Sequence, residues 1–372
     1  MKILVLARNE ETYFMDIYEK FKRELVLQVP STVLYGDGHN TTGFVSRDIS
    51  EIFSRVGDNF DVIYLTDLRD QSGEFGDNPW TGLSEVKILK TIFKTDIHNY
   101  WEAHKAYIIK NGFRSLFCPY PEKYQEERLG SHFGLPHNIS VELLPHSADT
   151  ETYHPYDESK IFDVSVLGMK HRIKFLGIAK EYLRYVINFQ RDMVMYPFHS
   201  KNLPRILSLV FKDDYPLRSF VDKELSRQKT IKYFTKPHPG RYLGFDYNVE
   251  YEDLETAPYL IGKNFARAIS SSKIIVAGSS RWRLPLQKTF QGMACKTLVI
   301  TQEPYGAKEL NFVDGWNYVH ATKKDVMKKI EYYLNHENER EEIAQNGYDT
   351  ILKYHTLKLR VSQFVKRLKE LV

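Results

Sequence analysis

The stretch Lys273-Ile274-Ile275-Val276-Ala277-Gly278-Ser279-Ser280-Arg281-Trp282-Arg283-Leu284-Pro285-Leu286-Gln287-Lys288-Thr289-Phe290-Gln291-Gly292-Met293-Ala294-Cys295-Lys296-Thr297-Leu298-Val299-Ile300-Thr301 decides how the chain is read. Two short apolar runs, 273–278 and 297–301, read as strands buried on both faces. A polar, basic loop and a helical pattern over 284–295 lie between them. Strand, loop, helix and strand in this order form the repeating unit of a parallel sheet covered by helices. Arginines and unpaired backbone N–H groups at the head of that helix favour an anion such as a diphosphate. The plainer reading, an ordinary unit carrying surface arginines, stays open on these residues alone.

Working outward, the same rhythm fills the rest of the chain. Towards the front of this half, 163–167 reads as a strand ending at Gly168, with helices over 175–186, 217–227 and 265–271 and a strand over 230–235. Behind it, Val361, Phe364, Val365, Leu368 and Leu371 form one apolar stripe of a last helix, and Thr356 is placed to cap it. The run 149–161 is polar, aromatic and proline-containing, and reads as a linker. The front half repeats the pattern. Strands are predicted at 2–7, 32–35, 61–66, 115–118 and 140–144. Helices are predicted near 47–56, over 101–110, and on a face made by Phe14, Ile17, Tyr18, Phe21 and Leu25. The expectation is an α/β protein of two Rossmann-like, doubly wound domains facing a cleft. The domains are residues 1–158 and 159–350, with a helix in 351–372 packing back on the first. Ligands of such sheets sit at the carboxyl ends of the strands and between domains.

Composition bounds the function. The 372 residues carry 52 Lys and Arg against 48 Asp and Glu, a formal charge of +4. That surplus gives no sign of a nucleic-acid partner and is compatible with an anionic small ligand or weak adhesion to an acidic membrane. Two cysteines, Cys118 and Cys295, exclude a disulfide framework and a four-cysteine zinc site. The N-terminal apolar run is too short for a signal peptide, and no run is long enough to span a bilayer. The expected location is the cytoplasm, with peripheral membrane contact left open.

Several residues are singled out by position. In Tyr233-Phe234-Thr235-Lys236-Pro237-His238-Pro239-Gly240, two prolines stiffen the turn that follows a strand. They hold His238 at its carboxyl end, with Lys236 two residues earlier on the same side. A lysine and a histidine there suit the phosphates of a nucleotide, although a stiffened turn with a surface histidine is the simpler alternative. Arg172 follows the Gly168 turn near a helix start. In the first half, Asp96 and His98 follow an apolar segment containing Ile88, Leu89, Ile92 and Phe93. Either could act as general base towards an acceptor hydroxyl, or cap and pack without chemistry. Gly36, Asp37 and Gly38 make a polar turn that lets a sugar approach the backbone, or serve as an ordinary tight turn.

The runs "LPLQKTFQGMACKTLVIT", "EPYGAKELNFVDGWNYV" and "KKDVMKKIEYYLNHENEREEIAQNGYDTILKYHT" resemble the C-terminal half of the CgeB-like glycosyltransferases. These are relatives of the large retaining, family 4-like group with the GT-B fold. More weakly, "VLYGDGHN", "LLPHSADTETYHPY" and "DVSVLGMKHRIKFLGIAKEYL" resemble segments of the same family further forward. The resemblance implies a nucleoside-diphosphate sugar bound in the C-terminal domain. It gives donor-side roles to Arg172, Lys236, His238, Arg281, Arg283, Gln291, Tyr305 and Gly306. It gives catalytic or positioning roles to Asp96 and His98, and an acceptor-side role to Gly36, Asp37 and Gly38. Retaining relatives carry Glu-x7-Glu where this chain has Arg283 and Gln291. Gln291 can still bond ribose hydroxyls, whereas Arg283 cannot replace an acid. Lys296 stands where the family has Gly.

No Asp-x-Asp, Gly-x4-Gly-Lys-Ser/Thr, Gly-x-Gly-x-x-Gly or Gly-x-Ser-x-Gly motif points to another chemistry. The expected protein is a metal-independent glycosyltransferase without a resident cofactor. It would move a hexosyl or deoxyhexosyl group from a nucleotide sugar to a glycan or glycoconjugate acceptor. Transfer of another nucleotide-activated group such as a polyol phosphate, and non-catalytic nucleotide or sugar binding, are the alternatives.

Overall fold

The computed structural model describes residues 1–7, 17–36, 46–66, 80–95, 101–121, 131–168, 213–236 and 249–372. The first half is a six-stranded sheet of β1 (Ile3–Ala7), β2 (Val33–Gly36), β3 (Val62–Leu65), β4 (Leu89–Phe93), β5 (Ser115–Cys118) and β6 (Ser140–Leu143). Its order is β2-β1-β3-β4-β5-β6 and every pair is parallel. The second half is a five-stranded sheet of β7 (Phe162–Ser165), β8 (Tyr233–Phe234), β9 (Ser272–Val276), β10 (Leu298–Thr301) and β11 (Val319–His320). Its order is β11-β10-β9-β7-β8, again all parallel. Strands β1, β3, β5 and β10 are buried throughout, as their continuous apolar runs require, whereas the edge strands β2 and β6 are partly exposed.

Nine helices are described: α1 (Ile17–Gln28), α2 (Ile49–Val56), α3 (Trp101–Lys110), α4 (Pro216–Leu225), α5 (Gly262–Ser270), α6 (Gln287–Ala294), α7 (Val326–Asn335), α8 (Glu337–Tyr354) and α9 (Leu357–Leu371). Asp48 caps α2 by accepting from the N–H groups of Ser50 and Glu51, and Thr356 caps α9 by accepting from Leu359 N–H. Helix α9 runs back to the first sheet, where it packs beside α1. Its Phe364 is fully buried against the rings of Phe21, Tyr64 and Phe117. At the crossover, Ala148 of the linker pairs with Thr356 in an isolated bridge.

Several elements depart from their sequence expectations. The strand predicted over 230–235 is only Tyr233–Phe234, because the Gln228 side chain accepts from Thr230 and Ile231 N–H and turns the chain there. The helix predicted from 284 begins at Gln287, because Leu286 is extended (φ −78, ψ 149) and Pro285 disfavours a helical backbone at Leu284. The segment around Ile88–Phe93 is a full central strand, β4, its character masked by Lys90 and Thr91. Both are buried: Lys90 Nζ donates to Val86 O and Thr91 Oγ1 to Ser115 O. Gly36 is the last residue of β2, and a β-carbon there would lie 1.8 Å from Ala7 O. The close approach it permits is that of β1. Phe14 and the helix predicted over 175–186 lie outside the described residues.

Candidate functional site

The order of the second sheet locates a crevice. From β7 the chain moves outward to β8, then returns to the other side of β7 as β9 and continues to β10. The connections leaving the carboxyl ends of β7 and β9 therefore diverge, which is where open α/β sheets bind ligands. Two glycines lie at this point. Gly168 follows β7 with φ 98, and Gly278 follows β9 with φ 55.

Two cations converge on the gap those glycines leave. A β-carbon on Gly168 would sit 2.8 Å from Arg218 Nη1, 2.8 Å from Lys288 Nζ and 2.3 Å from Lys288 Cε. One on Gly278 would sit 3.1 Å from Arg218 Cγ. Arg218 comes from the first turn of α4 and Lys288 from the first turn of α6. The Arg218 guanidinium is buried, stacked on Tyr215 with its Cζ 3.7 Å from the ring centroid. Its Nη1 lies 3.4 Å from Leu167 O, and its Nε has no hydrogen-bond partner. Among the described residues, no carboxylate lies within ion-pair distance of Arg218 or Lys288. Burial, then the neighbouring Arg218, push the Lys288 ammonium down to about 7. Burial pushes Arg218 down to about 10. Two cations packed against the glycines, with no carboxylate in direct contact among the described residues and Asp213 at longer range, suit a multivalent anion.

Helix α6 presents this site because its far side is closely packed. A β-carbon on Gly292 would lie 2.7 Å from Val299 Cγ2 and 2.9 Å from Ile275 Cγ2, so the helix rests directly on β9 and β10. Gln291 is half-buried one turn beyond Lys288, and its side chain makes no hydrogen bond among the described residues.

The other residues singled out from sequence are distributed as follows. Arg281 sits close by, but its charge faces Asp214, with Nε 3.1 Å from Oδ1, and it stacks on Trp282. Arg283 is turned away to Glu303, with Nη2 3.1 Å from Oε2 and Nε donating to the carbonyl at 2.9 Å. Lys236 Nζ donates to the carbonyls of Glu255 and Ala257 at 2.5 and 2.8 Å, so its charge is engaged with the 255–257 segment. Tyr305 and Gly306 lie at the contact between the two halves. Tyr305 packs with Leu284 into the core cluster of the first domain, and a β-carbon on Gly306 would touch Pro121 Cγ at 2.9 Å. Asp37, Gly38, Asp96, His98, Arg172 and His238 lie outside the described residues. The sequence reading passed over Arg218 and Lys288. An arginine and a lysine inside amphipathic helices look like solvated charges until the sheet order brings both helix heads to one point.

Comparison with known proteins agrees with this geometry. Residues 227–366 match the family model described as "Glycosyl transferase-like", a span that includes β8 to β11 and Lys288. No curated protein matches the chain in sequence. Among solved structures, a glycosyltransferase from Rickettsia africae superposes with a TM-score of 0.56 at 12% identity, covering 99% of this chain and 98% of that one. HepE from Anabaena, in complex with UDP, superposes with a TM-score of 0.57 at 10% identity over the whole of both chains. Sucrose-phosphate synthase from Thermosynechococcus elongatus gives 0.56 at 10% identity, covering 100% of this chain and 99% of that one. The fold is therefore the two-domain GT-B architecture seen in glycosyltransferase structures. Among the described residues, no helix is long and apolar enough to cross a membrane.

Proposed function

We propose that the protein is a glycosyltransferase that binds a nucleoside-diphosphate sugar on its second domain and transfers the sugar to a hydroxyl acceptor. The observation that carries this reading is the pair of a buried Arg218 and a half-buried Lys288 at the carboxyl ends of β7 and β9, with no carboxylate in ion-pair contact among the described residues and Asp213 only a longer-range neighbour of Arg218. A diphosphate bridging the two would supply the missing negative charge. The same cations would offset the charge that develops on the leaving nucleotide, so we propose that transfer proceeds without a metal. Gln291 is positioned one helical turn further on to meet the ribose hydroxyls. In this reading Arg281 and Arg283 shape the loop rather than neutralise the donor, because Asp214 and Glu303 already oppose them.

The HepE structures with UDP, and with UDP-glucose at a TM-score of 0.55, make uridine nucleotides the first donors to test. The CgeB-like resemblance, the hexosyl class and a glycan acceptor belong to the same proposal. The test is titration with UDP-, GDP-, dTDP- and CMP-sugars by calorimetry, with and without EDTA, alongside assays of donor hydrolysis and transfer. At least one donor is expected to bind with EDTA present, and Lys288→Met is expected to weaken it about 10- to 150-fold. That range corresponds to losing one charge-assisted hydrogen bond of about 1.5–3 kcal/mol. No binding by any donor would overturn the reading. Saturable binding without turnover across a broad acceptor panel would favour a non-catalytic binder.

A further inference from the structure

A cavity lies where the first sheet, α1, residues 144–147 after β6, α6 and α9 meet. It encloses about 500 Å³ of empty space, its mouth included. Most of its wall is apolar and aromatic, including Tyr18, Phe21, Tyr64 and Phe93. Six polar side chains interrupt that wall, and three of them, from three different parts of the fold, keep an unmet atom. Thr66 ends β3, Gln287 opens α6, and Arg360 lies in the first turn of α9. All three are more than nine-tenths buried, at 7, 9 and 4% exposure. Each keeps one polar atom without a hydrogen-bond partner: Thr66 Oγ1, Gln287 Oε1 and Arg360 Nε.

The other polar side-chain atoms of Gln287 and Arg360 are anchored. Gln287 Nε2 donates to Ser147 O, leaving its Oε1 as a fixed acceptor. Arg360 Nη1 donates to Gln363 Oε1 at 2.5 Å, and Nη2 reaches His146 O at 3.2 Å and His355 Nδ1 at 2.7 Å. Every one of these partners is neutral, since burial and the adjacent guanidinium hold His355 down to about 4. Lys22, also in the wall, forms an ion pair with Glu19. The cavity therefore carries the charge of Arg360 with no carboxylate against it among the described residues. A buried cation in that state costs several kcal/mol, roughly, unless an anion joins it.

We propose that this cavity binds a hydroxylated ring bearing a carboxylate, the chemistry of a uronic acid, as the acceptor-side group of the reaction. The carboxylate accepts from Arg360 Nε, hydroxyls donate to Gln287 Oε1 and pair with Thr66 Oγ1, and the C–H faces of the ring pack on the aromatic wall. Gln287 and Lys288 are consecutive on α6, so one helix head separates this cavity from the proposed diphosphate site. The acceptor role rests on the glycosyltransferase reading; the binding itself does not.

The test is calorimetric titration with methyl glucuronide and with the matched neutral methyl glucoside, with UDP binding measured in parallel. The glucuronide is expected to bind saturably and at least tenfold more tightly than the glucoside. Thr66→Val and Gln287→Glu are expected to weaken it fivefold or more; the first removes a hydroxyl at nearly constant shape and the second sets a negative charge against the ligand. Arg360→Met should abolish it, but Arg360 also ties α9 to the linker. The other two variants therefore decide the matter if this one fails to fold. If the glucoside binds equally well, if neither Thr66→Val nor Gln287→Glu weakens the glucuronide, or if no sugar saturates while UDP binds, the cavity holds only water and the inference fails. Glucuronide binding without any nucleotide binding would uphold the cavity and remove the donor reading.

Discussion

Lys296 shows how much a single backbone angle explains. It follows the C-terminal end of α6 with φ 51, a left-handed conformation that suits glycine and strains a side chain. Lys296→Gly is expected to stabilise the protein by up to about 1 kcal/mol, because relief of left-handed strain outweighs the added freedom of the unfolded chain. Urea denaturation would show it as a higher midpoint at unchanged slope. Lys288 makes a prediction of a different kind. Its pKa falls from an ordinary 10.5 to about 7 on folding. Between those values the unfolded chain holds a proton that the folded chain has released, so stability rises with pH across that window. The cost of burying the ammonium is complete below about pH 7 and is relieved as the pH climbs towards 10.5. Melting temperature followed from pH 6.5 to 9.5 is expected to rise for the wild type relative to Lys288→Met. An equal slope in both would place the charge elsewhere. A bound diphosphate favours the protonated form. UDP binding at pH 8 should therefore take up protons, read as a dependence of the calorimetric heat on buffer ionisation enthalpy.

At the scale of elements, α9 is the instructive case. Its apolar stripe is plain in the sequence, and Val361, Phe364, Val365 and Leu368 are all buried. Their partners are not in the domain that precedes them in the chain but in β1, β3, β5 and α1 of the first domain. Helix α9 thus stabilises the first domain although it is made last. Phe364→Ala is expected to cost about 3–5 kcal/mol, the usual range for removing a large buried ring. Thr356→Ala, which removes only the cap, is expected to cost about 1 kcal/mol. Chemical denaturation of the two variants would separate packing from capping, and equal losses would mean that the helix entry, rather than the ring contacts, dominates. Strand β4 makes the converse point. Lys90 and Thr91 break the apolar run that marks a buried strand, and only the acceptors they reach, Val86 O just before the strand and Ser115 O on β5, reveal why the polarity is tolerated.

At the scale of the whole molecule, the two halves touch through loops that the sequence presents as donor-side. Leu284 and Tyr305 complete the core cluster of the first domain, and Gly306 lies against Pro121 with φ 78. This contact joins the loop after β10 to the first domain, beside the proposed donor site. Gly306→Ala would place a β-carbon 2.9 Å from Pro121 Cγ in a backbone region that suits glycine. It is expected to lower turnover at least fivefold with UDP affinity changed by less than twofold, since the cation pair lies elsewhere. Parallel calorimetry and initial-rate measurements check this, and a matching loss in both would mean that the loop is part of the donor site itself.

The sequence by itself determined the alternation of strands and helices, the parallel sheets and the linker, because buried strands and amphipathic helices impose local periods that survive without any partner. It also pointed to the loop and helix at 279–295 as the place to look. What it pointed to within that loop was charge, and charge read along the chain does not show whether it is already opposed. Only the tertiary structure set Asp214 against Arg281 and Glu303 against Arg283. It also left Arg218 and Lys288, 70 residues apart in the chain, facing one gap between two glycines. Strand order decided that meeting. It is a property of the sheet as a whole, arising when β9 returns past β7, and no local pattern records it.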